Sequence, residues 1–232
     1  MNERVFILAG GLGTRIRSLY PDLPKPLIPI HGKPFLEHQI VQLRDQGFHD
    51  FVLCVSYRAD QIVDHFQDGA AWGVRLRYSY EQEPLGTAGA LRYAASYWED
   101  TALVVNGDTF IKADFRNLID AHRARSDAGG SIGLVAMPDT SRYGQVLIDA
   151  QQHVTAFREK DQSASAGWIN AGVYVLEPRV LDLIPIGRAG SIEREVFPPL
   201  AADRRLYGFP LDGAFVDMGT PEGLAAMEAL LS

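Results

Sequence analysis

The chain has 232 residues, of which 47% are hydrophobic and 22% charged, and a net charge of −7 at pH 7. That balance is ordinary for a globular protein with ample core, and it excludes the disordered and membrane-spanning classes. The acidic excess argues against a nucleic-acid surface, which needs surplus Lys and Arg, but a small polyanion could still bind because a few local cations suffice.

The single cysteine, Cys54, cannot form an internal disulfide and sits in the apolar run FVLCV, where it reads as a buried strand residue. MNER ahead of a short strand has no signal-peptide profile, and no apolar run approaches spanning length, so the expected setting is cytoplasmic with no membrane partner.

In chain order, Val5 to Ala9 reads as a strand buried on both faces and runs into a glycine-rich turn. Pro34 to Gln46 has apolar residues at helical spacing and stops at Gly47. A strand at FVLCV, a short helix around Ile62 to Phe66 and an alternating strand from Val74 to Tyr80 follow. Gly86 to Tyr97 predicts a helix, Ala102 to Val105 a strand tipped by Asn106, Gly107 and Asp108, Phe115 to Arg125 a helix, and Ser131 to Ala136 a strand. Beyond these, Val146 to Ile148 and Val154 to Phe157 read as a hairpin, Ile169 to Leu176 as a strand and Ser191 to Leu200 as one helix. Ala214 to Asp217 is a last strand before a helix beginning near Thr220 and Pro221. The alternation predicts an α/β fold over residues 1–232 as a single domain. Its core would be an open, mostly parallel but mixed Rossmann-like sheet flanked by helices, with a small β hairpin inserted in the second half.

The opening turn carries the most chemistry. Gly10, Gly11 and Gly13 allow positive φ and close approach of backbone N–H groups to anionic oxygens. Arg15 can fork onto phosphate oxygens, and Lys25, confined by Pro21, Pro24, Pro26 and Pro29, adds a compact charge. The turn is not a P-loop, because Gly13 is followed by Thr14 and Arg15 rather than by Lys and Ser or Thr. It is not a dinucleotide fingerprint either, since Ile16 stands where the third glycine belongs. Asp108 and Asp217 each follow a strand and are expected at the carboxyl end of the sheet, where two acids could grip one Mg²⁺; taken singly, each is more often a turn or capping residue. Close backbone approach at Gly86 and Thr87, after Pro84, suits a planar base, and the Glu81 carboxylate could accept from a ring N–H. Guanine offers a carboxylate two adjacent donors, uracil or thymine one, and the plainer reading of the segment is a surface turn capped by Thr87. The six histidines have no metal-ligand spacing and receive no role.

Taken together, LAGGLGTR, PKPLIPIHGKPFLEH, EPLGTAGAL, VNGD, FREK, NAGVY and VDMGTPE resemble, in order and over nearly the whole length, the sugar-1-phosphate nucleotidylyltransferase family. Within it, RSLYPDLPKPLIPIHGKPFLEH, CVSYRADQI and EPLGTAGAL look most like D-glycero-α-D-manno-heptose 1-phosphate guanylyltransferases. The resemblance implies that Leu8, Ala9, Gly10, Gly11, Gly13 and Thr14 wrap a nucleoside triphosphate beside Asn106 and Gly107, with Glu81, Pro84, Gly86 and Thr87 lining the base. It assigns catalysis to Arg15, Lys25, Asp108 and Asp217, Mg²⁺ to the two aspartates, and the sugar phosphate to Gly144, Glu159, Lys160, Asn170, Gly172 and Tyr174. It also allows a homodimer, although no exposed stripe in the sequence marks an interface.

The expected partners are thus a nucleoside triphosphate and a sugar 1-phosphate, GTP and the heptose first, with mannose guanylyl transfer or hexose uridylyl or thymidylyl transfer as alternatives. A metal-dependent glycosyltransferase would use an Asp-x-Asp motif, but Asp108 is followed by Thr109 and Phe110. A non-catalytic nucleotide-sugar sensor would have no need to keep Arg15, Lys25, Asp108 and Asp217 together.

Overall fold

The computed structural model describes residues 3–13, 15–16, 18–159 and 165–232. Its first strand, β1 (Arg4–Leu8), sends Val5 and Ile7 into one apolar cluster and Phe6 into another, so both of its faces are covered. A two-strand ribbon, β2 (Pro29–Ile30) with β3 (Lys33–Pro34), then leads into helix α1 (Phe35–Asp45), which buries Leu36, Ile40 and Leu43. The strand β4 (Asp50–Val55) is buried at every position; α2 (Ala59–Phe66) follows it, then β5 (Arg75–Tyr80). Next come α3 (Gly86–Tyr93), β6 (Ala102–Asn106) and a three-residue strand, β7 (Thr109–Ile111). Strands β1, β4, β5 and β6 are mutually parallel in the order 6-1-4-5, with Leu8 paired to both Cys54 and Asn106.

In the second half, α4 (Arg116–Arg123) precedes β8 (Gly130–Met137), β9 (Gln145–Ile148) and β10 (Val154–Arg158), the last two forming the expected antiparallel hairpin. The long strand β11 (Gly167–Leu176) runs antiparallel to both β6 and β8, which makes the sheet mixed. The single helix expected from Ser191 to Leu200 is two: α5 (Ile192–Glu195) and α6 (Phe197–Ala202). Pro198 and Pro199 lack the N–H groups a continuous helix would need there, and proline is tolerated only in the first turn of the second helix. A strand not foreseen, β12 (Leu206–Pro210), adds to β8 in parallel. The chain ends with β13 (Phe215–Asp217) and α7 (Pro221–Leu230), where Thr220 Oγ1 accepts from Gly223 N.

Helices α1, α2 and α4 cover the face of Val5, Ile7, Leu53 and Val105, while α3, α5 and α6 cover that of Phe6, Val52 and Val104. Cys54 lies fully buried on the second face, and desolvation pushes its thiol well above the ordinary value, so it is an inert core residue. Among the described residues no helix is long and apolar enough to cross a membrane.

Candidate active site

The carboxyl ends of β1 and β6 lie side by side, and the two loops leaving them build the floor of the site. Gly107 N donates to Leu8 O at 3.0 Å, and a Cβ at Gly107 would lie 2.6 Å from that same oxygen, so only glycine permits the approach. Asp108 is thereby presented to Lys25, whose Nζ sits 2.8 Å from Asp108 Oδ2. Lys25 opens a short 3₁₀ turn between Pro24 and Pro26 and is 8% exposed, while Asp108 is 44% exposed; the pair is held from the protein side and open on the other. Gly13, at φ +57°, rests on the lysine stem: a Cβ there would be 3.3 Å from Lys25 Cβ.

A cavity of about 220 Å³ joins this floor to the loop after β5. Leu8, Ala9, Gly10, Gly11, Lys25, Asn106, Gly107 and Asp108 line one side, and Glu81, Pro84, Gly86 and Thr87 the other. Glu81 is 6% exposed; its Oε2 accepts from Leu85 N at 2.9 Å, while its Oε1 is buried with no partner among the described residues. Burial raises the Glu81 pKa and the Leu85 bond opposes the rise. A buried carboxylate oxygen without a donor is costly, and its residue lines the cavity. Gly10 lies against it, with a built Cβ 3.2 Å from Glu81 Oε1, so the phosphate-type turn and the base-type pocket share a wall.

Gly86 adopts φ +68°, and a Cβ there would lie 2.4 Å from Gly190 O. Gly86→Ala therefore pushes the pocket wall away from the segment it leans on. We expect about a 10-fold rise in nucleotide KM with a thermal midpoint lowered by several degrees, by analogy with strain of roughly 1–3 kcal/mol at such positions. Steady-state kinetics and thermal unfolding read both.

The second aspartate arrives through strand pairing that the sequence reading did not contain. Strand β13 runs antiparallel to β7, with Asp217 opposite Thr109, and Met218 N donates to Asp108 O at 3.0 Å. The two acids therefore belong to neighbouring strand ends. Asp217 Oδ1 accepts from Gly219 N at 2.7 Å, and a Cβ on Gly219 would lie 2.9 Å from that oxygen and 3.2 Å from Arg15 Nη2, so Arg15 and Asp217 flank the same glycine. Gly13, Arg15 and Asp217 stand outside the cavity lining and border it through Lys25 and Asp108. Among the described residues no group of three or more His, Cys, Asp or Glu side chains forms a metal cage.

A second groove, of about 370 Å³, is lined by Gly144, Glu159 and Asn170 together with Tyr143, Gln145, Phe157 and Arg158. Gly172 and Tyr174, expected to meet the same ligand, do not line it. Gly172, at φ +72°, packs into the back of the acid-bearing strands, where a Cβ would lie 2.6 Å from Thr109 Oγ1. Tyr174 is fully buried, its hydroxyl accepting from Asn170 Nδ2 at 2.9 Å and donating to Glu193 Oε1 at 3.5 Å, so both residues support the groove from behind. Thr14 and Lys160 lie outside the described residues.

Ser191, Glu193 and Arg194 line the groove without having been foreseen. The run SIER looks only like a helix start, and its role emerges from a distant contact: Thr87 Oγ1 accepts from Ile192 N at 2.9 Å and donates to Glu193 Oε2 at 3.3 Å. Thr87 is thus engaged across the fold rather than as a helix cap, and it links the two grooves.

Residues 4–232 match the family described as Nucleotidyl transferase. The chain is 41% identical over 220 residues to mannose-1-phosphate guanylyltransferase of Mycobacterium tuberculosis, covering 93% of this chain and 61% of that protein. It is 37% identical over 222 residues to mannose-1-phosphate guanyltransferase of Saccharomyces cerevisiae, covering 93% and 61%. It therefore spans about three fifths of the length of these curated relatives. The crystal structure of HddC from Yersinia pseudotuberculosis complexed with GMP-PN superposes with a TM-score of 0.85 at 33% identity, over 99% of this chain and 100% of that one. With its glycine turn, its Lys25–Asp108 pair and the matched span running almost from end to end, the chain belongs to the nucleotidyl transferase family.

Proposed function

We propose that the protein transfers GMP from GTP to a sugar 1-phosphate, with D-glycero-α-D-manno-heptose 1-phosphate as the first acceptor and mannose 1-phosphate as the second reading. The observation that carries the proposal is the single cavity lined by both Lys25, paired with Asp108, and Glu81, whose Oε1 has no partner among the described residues. One end offers a cation to phosphate, the other an acceptor to ring N–H groups. Guanine presents two adjacent donors, and Glu81 can meet both, since Oε2 keeps a lone pair after accepting from Leu85. HddC complexed with GMP-PN supports a guanine nucleotide, and the named mannose-1-phosphate enzymes support the second sugar. The two sugars share the manno ring and differ by one carbon beyond C6.

The reaction is an in-line displacement: a sugar-phosphate oxygen attacks the α-phosphorus, and the bond to the bridging oxygen breaks, releasing pyrophosphate. The nucleophile is already an anion, so no general base is needed, and the work left is positioning and charge stabilisation. Lys25 and Arg15 bring positive charge to the phosphates. The second groove, joined to the first through Thr87 and Glu193, is placed to take the sugar. Asp108 and Asp217, on neighbouring strand ends, fit a Mg²⁺ that prefers one or two carboxylates plus substrate oxygens. Bound there, the ion would neutralise charge on the transferred phosphoryl group.

A matrix of GTP, UTP and dTTP against heptose, mannose and glucose 1-phosphates, read by pyrophosphate release, tests this. The expected result is turnover with GTP and a manno-configured sugar, the heptose ahead. Turnover with UTP or dTTP and glucose 1-phosphate alone would refute the base and sugar assignments and keep the transfer. No turnover with any pair, alongside tight nucleotide-sugar binding, would make the protein a sensor.

A further inference from the structure

Helix α1 and the residue that caps it turn three glutamines, Gln39, Gln42 and Gln46, toward the segment that carries the first acid. Their spacing of i, i+3 and i+7 puts them on one helical face. Each amide donates to backbone carbonyls: Gln39 Nε2 to Asn106 O at 2.9 Å and to Thr109 O at 2.8 Å, Gln42 Nε2 to Ile111 O at 2.7 Å, and Gln46 Nε2 to Ala113 O at 2.8 Å. The top rung differs from the others in what it holds. Its two carbonyls flank Gly107 and Asp108, one before and one after, so both amide hydrogens of a 3% exposed side chain span the turn that presents Asp108 to Lys25.

We infer that Gln39 is a positioning residue that sets the place of Asp108 by clamping the peptide groups on either side of it; this rests on the reading of Asp108 as an acid of the transfer site. Packing alone does not account for the residue. Gln39 Oε1 is buried without a partner among the described residues, a cost that a methionine or leucine at the same place would avoid. The amide is the group that can donate twice into a turn whose carbonyls point at the helix. Gly107 N to Leu8 O and Met218 N to Asp108 O hold the turn from the sides and use neither of these two carbonyls. Displacement of a catalytic group by about 1 Å is enough to cost turnover.

The test compares Gln39→Met, which keeps length and loses both donors, with Gln42→Met, which removes the next rung away from the acid. Wild-type protein is first shown to release pyrophosphate from GTP and its sugar 1-phosphate. Gln39→Met should then lower kcat about 10-fold with both KM values within threefold of wild type. Gln42→Met should lower the thermal midpoint as much as Gln39→Met does and leave kcat within threefold.

Gln39→Glu supplies the readout that a merely structural role would not move. Between two carbonyl oxygens its carboxyl group should take up a proton as pH falls and then donate one of the two bonds, so its turnover should recover toward wild type in the same direction. This variant also keeps the inference open to refutation should Gln39→Met fail to fold. Equal kcat losses in Gln39→Met and Gln42→Met, a Gln39→Met enzyme with wild-type kcat, or a flat pH profile in Gln39→Glu relative to wild type would each overturn the inference and leave the proposed reaction standing. A wild type without turnover would overturn both.

Discussion

Lys25→Met should lower nucleotidyl-transfer turnover by about 10²- to 10³-fold while the protein stays folded, the loss expected when one preorganised charge is removed from a developing transition-state anion. The methionine keeps the apolar stem that Gly13 leans on and deletes only the ammonium. The exposures of the two partners explain why stability should hardly move. Lys25 is the enclosed member of the pair at 8%, and Asp108, at 44%, reaches water once its partner is gone. No charge is stranded in the interior, so the change in unfolding free energy should stay within about 1 kcal/mol. Lys25→Arg separates charge from geometry: it keeps the cation but forces a planar fork into a turn bounded by Pro24 and Pro26, and it should still lose at least ~10-fold. Rapid-quench kinetics on folded variants would check both. Wild-type turnover in Lys25→Met would remove the lysine from the chemistry and leave Asp108 with a structural ion pair.

Much of this site can be read from local patterns. The strand ending at Leu8 announces itself because a run of apolar residues buried on both faces has few other fates, and Gly107 and Asp108 follow from the same logic at Asn106. Convergence of Asp108 and Asp217 follows in the sequence only from matching contexts, strand then acid; the pairing that delivers it is illegible there. Thr109–Ile111 and Phe215–Asp217 are three residues each, too short to carry a period, and their partnership is a property of the closed fold. Leu206–Pro210 escapes notice because LYGFP mixes glycine and proline with its aromatics, a composition tolerated near the sheet edge, where its strand ladder is with β8 and a single bridge joins Tyr207 to His153. Gly172 and Tyr174 set a different limit. A block shared with a family does not by itself distinguish a side chain that touches a ligand from one that braces the wall, and Tyr174 is fully buried behind the groove. Glu193 has no motif because its relevance is set by Thr87, on a helix packed beside it on the same face of the sheet.

Glu81→Gln should lower kcat/KM for GTP by about 10²-fold and, in the absence of nucleotide, raise stability at neutral pH. The two effects have one cause. Glu81 is a buried carboxylate with one oxygen on Leu85 N and the other without a donor among the described residues. Burial is the first cause of its raised pKa, so the folded state binds the proton more tightly than the unfolded state does. For an acid shifted upward, stability is greatest below the unfolded value and is lost as pH rises through the window up to the folded one. Above that window the apo protein carries the full cost of a poorly compensated charge. The neutral amide of the variant removes that cost, so the midpoint difference between variant and wild type should open as pH rises above the ordinary carboxylate range and level off beyond the raised folded value.

Binding runs the other way. The carboxylate accepts at both ends at once, from Leu85 N and from a base, whereas an amide that gives its oxygen to Leu85 must turn its NH₂ toward guanine donors. Loss of charge-assisted bonds worth roughly 1.5–3 kcal/mol, with donor facing donor, accounts for the size of the effect. For wild type, GTP affinity should fall as pH drops into the window where Glu81 takes up its proton, and that dependence should vanish in the variant. ITP, which lacks the 2-amino donor, should lose affinity for wild type and be closer to GTP in Glu81→Gln. Calorimetric titration of GTP and ITP across pH, beside thermal unfolding of the apo proteins, measures every part of this. A variant that binds GTP as wild type does while gaining stability would show that the orphaned oxygen is a cost without a ligand, and the base would have to be recognised elsewhere in the cavity.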